Sequence, residues 1–145
     1  MNGAHLQRAR VGDTFALAVP AITTTQLVRY AGASDDYNRI HYDQAYAQEA
    51  GLGGVIAHGM LTMAFMGRAV SDWAGPAAAI LDLDARFNAP VRPGDVVMVV
   101  GTVAECSPAE DGRRRLRCEI VARVGEKTVA SGEAWVAAPS ASPVP

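Results

Sequence analysis

Residues 52–75 read LGGVIAHGMLTMAFMGRAVSDWAG, and the fold turns on what this stretch becomes. Gly53 and Gly54 mark a loop. From His58 onward, Met60, Leu61, Ala64, Phe65, Val70 and Trp73 lie among small residues with little charge. Apolar groups on most sides over about 15 residues predict a central helix that is almost wholly buried. Such a helix needs a sheet to cover it, and the chain downstream supplies one. AAILDLDARFNAPV (78–91), DVVMVVGTVAEC (95–106), RRLRCEIVARV (114–124) and KTVASGEAWVAA (127–138) are rich in Val and Ile with partial alternation. RPGD, SPAEDG and GE separate them as turns. Helices followed by consecutive strands indicate an α+β class with an antiparallel sheet wrapped around one long helix.

Upstream, VGDTF (11–15) is a Gly-Asp turn feeding an extended segment, ALAVPAI. TTTQLVRYAGAS (23–34) follows as a helix with N-cap hydroxyls at Thr23 to Thr25. DQAYAQEAG (43–51) is a short second helix, capped by Asp43 and closed by Gly51. Residues 1–138 form one expected domain, and the Pro/Ser-rich tail 139–145 is expected to be disordered.

The totals exclude several classes. The 145 residues suit a single core, and 50% hydrophobic with 19% charged residues is ordinary for a globular chain. A net charge of −2 gives no electrostatic reason for a nucleic-acid or membrane partner. The basic run Arg113 to Arg117 alternates into an apolar stretch and reads as the outer face of a strand or its turn. No run approaches the roughly 18 apolar residues of a membrane span. The start of the chain lacks an apolar signal core, so a cytoplasmic location is expected. Cys106 and Cys118 lack metal-type spacing and are expected as reduced, buried or half-buried thiols on neighbouring strands.

Chemistry concentrates in SDDYNRIHYD (34–43). Asp36 and His41 stand five apart, a spacing that does not share a helical face, but a loop that bends back can bring both side chains to one point. A carboxylate beside an imidazole is an acid/base pair; the alternative is a capping Asp and a surface His. Asn38 between them offers an amide to a carbonyl or a water. In AHGM (57–60), Gly59 at the helix start presents free backbone N–H groups to a carbonyl oxygen, or else simply permits close packing.

YAGASDDYNRIHYDQAYAQEAG (30–51) followed by IAHGMLTM (56–63) resembles the MaoC-like, or (R)-specific enoyl-thioester hydratase, family. Tyr30, Ser34, Asp36, Asn38, Ile40, His41, Asp43, His58, Gly59 and Met60 match its pattern in order and spacing. RFNAPVRPGD (86–95) resembles the family's Arg-Phe-x-x-Pro-Val-x-Pro-Gly-Asp strand and turn. The chain looks most like the B-type subunit of (3R)-hydroxyacyl-thioester dehydratases.

The resemblance implies a hot-dog fold with two protomers, alike or related, paired edge to edge. It implies an acyl thioester of CoA or of an acyl carrier protein as substrate, and requires no metal or redox cofactor. Asp36 and His41 would handle a water and the proton beside the thioester, and the Gly59 N–H would bind the thioester oxygen. A hot-dog thioesterase is a second enzyme class, but the Asn-x-x-His after Asp36 suits hydration better. A polyketide dehydratase or cyclase and a non-catalytic subunit shaping an acyl tunnel are further alternatives.

Asp35 and Arg39 depart from the pattern, standing where Gly and Pro are usual. Asp is among the less costly residues at φ > 0. Arg39 either faces solvent or meets a substrate carboxylate or carrier phosphate. Among the supporting residues, His58 is expected to cap or orient the helix start and Ser34 to cap the loop or bond to the dyad. Tyr30 and Tyr37 either line the pocket or pack with the hydroxyl outward. Met60, Met63 and Met66 fill the core or line an adaptable acyl tunnel.

Overall fold

The computed structural model describes residues 4–108 and 113–139. The tail expected at 139–145 lies, apart from Pro139, outside the described residues, as does most of the SPAEDG turn.

Strand β1 (Thr14–Val19) precedes helices α1 (Thr24–Ser34), α2 (Gln44–Glu49) and α3 (Gly59–Ala74). Strands β2 (Ala79–Phe87), β3 (Val97–Pro108), β4 (Arg114–Val124) and β5 (Lys127–Ala137) follow. The strands form one antiparallel five-stranded sheet in the order β1-β3-β4-β5-β2, with α3 touching every strand. This is the α+β, helix-in-sheet architecture read from the sequence.

The local signals act as expected. Thr23 Oγ1 accepts the Gln26 N–H at 3.1 Å to start α1, and Asp43 Oδ1 accepts the Tyr46 N–H at 3.1 Å to start α2. In β4 the alternation places Leu116, Cys118, Ile120 and Ala122 in the core and Arg115 and Glu119 outside. The inward rows of β3, β4 and β5, including Val97, Val99, Ile120 and Val136, pack on Leu61, Phe65, Met66 and Val70 of α3. Cys118 is buried on β4, and burial in this apolar core pushes its thiol up to about 12. Cys106 is half-buried on β3, and both thiols are free. Gly101 makes room for Phe15, its cross-strand partner, whose ring stacks on Trp73 at 4.5 Å between centroids.

One feature differs from expectation and one was not anticipated. Helix α3 is not almost wholly buried: Met60, Ala64, Arg68, Ser71 and Asp72 form an exposed stripe. A five-stranded sheet covers one side of a helix, so a pattern that is apolar nearly all round still leaves a face uncovered in one chain. The segment Ala4–Arg8 forms a 3-10 turn that fully buries Leu6.

Asp35 closes α1 at φ 57°, ψ 24° and is the non-glycine residue with positive φ among the described residues. The left-handed conformation costs a side chain about 1 kcal/mol relative to Gly. Asp35→Gly is therefore expected to raise the melting temperature by a few degrees, checked by calorimetry.

Candidate active site

The left-handed turn at Asp35 redirects the chain at the end of α1, and two side chains then fold the following loop. Asp36 Oδ1 accepts the Asn38 N–H at 3.2 Å, and Asn38 Oδ1 accepts the Ile40 N–H at 3.3 Å. The resulting 3-10 turn, Arg39–His41, carries the His41 ring into the protein, where the residue is 7% exposed.

His41 Nδ1 lies 2.9 Å from the Ile56 carbonyl oxygen. A carbonyl only accepts, so Nδ1 carries the hydrogen and Nε2 of the neutral ring carries the lone pair. That Nε2 lies 3.8 Å from Asp36 Oδ2, a carboxylate left half in solvent. The separation is too long for a direct hydrogen bond and leaves both groups able to engage a third.

His58 is 2% exposed and bonds in the reciprocal direction. Its Nε2 donates to the Asp36 backbone carbonyl at 3.1 Å, and its Nδ1 is a buried lone pair with no hydrogen-bond partner among the described residues. The His41 and His58 rings stack at 3.7 Å with planes 21° apart, and the Tyr30 ring lies 4.9 Å from His58. The loop carrying Asp36 and His41 is thus tied to the start of α3 through both imidazoles. His58 stands at the N-cap position of α3 but its side chain accepts no helix amide; its Nε2 hydrogen goes to the Asp36 carbonyl, so it orients the helix start without capping it.

Burial holds the His58 imidazolium pKa below its ordinary 6.5; the Asp36 carbonyl opposes that shift and a charged His41 adds to it. With the folded value depressed, the unfolded chain binds this proton first as pH falls. Stability is therefore complete above about pH 6.5 and declines below it. Denaturant unfolding at pH 7.5 and 5.5 is expected to show lower stability at 5.5, with a smaller difference in His58→Gln.

Gly59 is the first residue of α3, so its amide has no carbonyl one turn behind it. It lines a cleft of about 390 Å³ together with His41, Leu52, Ile56, Thr62 and Phe87. A Cβ on Gly59 would sit 3.3 Å from the Phe87 ring, so a side chain here requires that ring to give by a few tenths of an ångström. A second cleft of about 370 Å³, between His5, Arg8, Asp13 and Trp73, contains none of these groups.

The other expected site residues divide. Ser34 Oγ donates to the Tyr30 carbonyl at 2.7 Å inside α1 and not to the dyad, because a helical serine reaches the carbonyl four residues back. Asn38 uses its carbonyl on the turn. Arg39 donates twice to Asp43, at 2.7 and 3.2 Å, and lies 4.5 Å over the Tyr46 ring. That pairing holds its guanidinium on the start of α2. Met60 is 56% exposed on the outer stripe of α3, whereas Met66 is core. Tyr37 is exposed.

One donor atom each from Asp36, His41 and His58 falls within 4.8 Å, the size of a metal site. The chemistry of the set fits a metal poorly. Stacked rings 3.7 Å apart direct their in-plane lone pairs along near-parallel planes and so not at one ion.

Sequence reasoning missed Ile56, Thr62, Phe87 and Arg92. Phe87 and Arg92 lie within RFNAPVRPGD, which was read only as a strand and turn; Ile56 acts through its backbone, which no residue type announces.

Comparison with known proteins agrees with this architecture. Residues 8–128 match the model of the MaoC like domain. A 3-hydroxybutyryl-CoA dehydratase of Methylorubrum extorquens is 35% identical over 119 residues, covering 81% of this chain and 74% of that protein. An (R)-specific enoyl-CoA hydratase of Rhodospirillum rubrum is 31% identical over 137 residues, covering 94% and 92%. The structure of an R-hydratase from Pseudomonas aeruginosa superposes with a TM-score of 0.78 at 30% identity, over 96% of this chain and 92% of that one.

Proposed function

We propose, since this chain belongs to the MaoC-like domain family, that it is a hydro-lyase acting on acyl thioesters. It adds water reversibly across a trans-2-enoyl thioester to give the (3R)-3-hydroxyacyl thioester. The observation that carries this reading is the approach of His41 Nε2, the ring nitrogen that the Ile56 carbonyl leaves free, to within 3.8 Å of Asp36 Oδ2, beside the cleft that Gly59 lines.

A water between the two groups is within reach of both. The pair takes one proton from the water as its oxygen bonds to C3, and passes that same proton on to C2. The electrons of the double bond pass through C2 toward the thioester carbonyl, whose oxygen gains negative charge. The Gly59 N–H, at the positive end of α3, stabilises that oxygen. The sum is substrate plus water, with no net oxidation, so the balanced reaction needs no redox group. Acid/base catalysis and an oxyanion donor each contribute about 10²- to 10⁴-fold by usual magnitudes.

Tyr30 supports this centre by packing on His58, and the apolar wall of Leu52, Ile56 and Phe87 receives the acyl chain. The thiol carrier is CoA or an acyl carrier protein. Strand β2 has one sheet neighbour and exposes Ile80, Leu81 and Phe87, so a second copy or a related subunit covers it. A dimer in size-exclusion chromatography is the expected result; a monomer removes this pairing.

Crotonyl-CoA hydration by the purified protein, with chiral analysis of the product, tests the activity. The (3R)-hydroxy product is expected. No turnover of either crotonyl-CoA or its carrier-protein thioester would overturn the reading.

A further inference from the structure

Residues 52–57 supply one wall of the cleft and the carbonyl that sets the His41 tautomer, yet they belong to no helix or strand. Their position is held from outside. The Ala57 N–H donates to the Val91 carbonyl at 2.7 Å, and the Val55 N–H donates to Gln44 Oε1 at 3.2 Å. The next residue after Val91 holds the other end of the segment. Arg92 Nη2 donates to the Leu52 carbonyl at 2.6 Å and Nη1 to the Gly54 carbonyl at 3.4 Å, across 40 and 38 residues of chain.

Arg92 is itself fixed. Its backbone N–H donates to Asp95 Oδ2 at 2.8 Å, and the Asp95 N–H returns to the Arg92 carbonyl at 3.0 Å, closing the turn before β3. Among the described residues its side-chain hydrogen bonds go to carbonyls and not carboxylates, so the fork spans two backbone acceptors two residues apart. A lysine reaches one of them at a time.

We propose that Arg92 is a positioning residue for the hydration reaction, acting through the 52–57 segment to hold the Ile56 carbonyl where it keeps the hydrogen of His41 on Nδ1. This rests on the hydratase reading of the dyad. Val91 and Arg92 clasp the two ends of the segment, and Ile56 lies between those clasps. Ile56 is also tied beside His41, its N–H donating to the Ile40 carbonyl at 3.1 Å; with the clasp at Leu52 and Gly54 lost, the segment pivots on that bond and the Ile56 carbonyl shifts relative to the His41 ring. The ring then samples the other tautomer, in which Nε2 bears the hydrogen and cannot accept one from water. Arg92 touches neither substrate nor dyad, so its loss acts on turnover more than on substrate affinity.

The test compares wild type, Arg92→Leu and Arg92→Lys by nitrogen-resolved imidazole NMR and by crotonyl-CoA kinetics. In wild type, His41 is expected as the Nδ1–H tautomer. In Arg92→Leu that population falls, and kcat falls roughly 10- to 100-fold, as small misplacements of catalytic groups do, with KM changed far less. Arg92→Lys keeps the charge and most of the stem; it is expected to fold and to show the same changes in smaller measure, which decides the matter if Arg92→Leu does not fold. An unchanged His41 tautomer and kcat in folded variants, with only the melting temperature lowered, would overturn the proposal. The NMR arm is independent of activity, so a wild type that hydrates nothing defeats the hydratase reading and leaves the Arg92 link to be judged on the tautomer alone.

Discussion

Asp36→Asn is expected to lower kcat for crotonyl-CoA hydration by roughly 10²- to 10⁴-fold while leaving the fold intact. The amide keeps the oxygen that accepts the Asn38 N–H, so the turn delivering His41 survives. What disappears is the negative charge beside His41 Nε2 and the ability to take a proton from water. His41→Ala is expected to lose activity to a similar extent, but at a further cost in stability. It removes the bond to Ile56 and the ring stacked on His58 at 3.7 Å. Two groups that serve one water act as a unit, so the double variant is expected to lose little more than the worse single one. Steady-state kinetics of the three variants, with urea unfolding alongside, checks this. Asp36→Asn retaining most of the wild-type kcat would remove the dyad from the reaction.

The largest expected effect on stability lies elsewhere, at Gly132 in β5. This residue is paired with Ala85 of β2 on one side and Ile120 of β4 on the other. A Cβ there would overlap the Asp84 carbonyl oxygen and sit 2.9 Å from Ala85 Cα. Both obstacles are backbone, so no side-chain rotation relieves the clash. In Gly132→Ala, β2 must move off β5, breaking ladder hydrogen bonds and shifting Phe87 from Gly59. A loss of about 3 kcal/mol or more is expected, in the range reserved for core strain and broken networks. Urea denaturation measures it, and a loss below about 1 kcal/mol would show that the strands accommodate the methyl. Gly101→Ala meets the Phe15 ring instead, and a side chain yields more readily than a strand.

How much was legible depends on how far apart the interacting residues lie in sequence. Thr23 and Asp43 were readable as caps because each bonds an amide three residues on. The strands were readable because alternation records which side faces the core. Asp36, His41 and Gly59 stood out by residue type and spacing, and the chain places His41 and Gly59 on one cleft. The partners of Ser34, His58 and Arg39 were not readable. Each had several acceptors within reach, and only packing chose among them. Ser34 turned back to its own helix, Arg39 took Asp43 and Tyr46, and His58 took a carbonyl 22 residues away. The exposed stripe of α3 was misread for a related reason: an apolar face shows that something covers it, not whether this chain does.

The sequence by itself determined the element order, the helix caps, the α+β class and the presence of one carboxylate, one imidazole and one helix-start glycine suited to acid/base work. Those properties follow from backbone propensity, periodicity and side-chain chemistry, which act over a few residues. The tertiary structure alone decided which nitrogen of His41 carries the hydrogen, which carbonyl His58 holds, and that Arg92 steadies the segment between them. Each of those depends on a backbone oxygen that every residue possesses and that only the folded chain brings within hydrogen-bond distance.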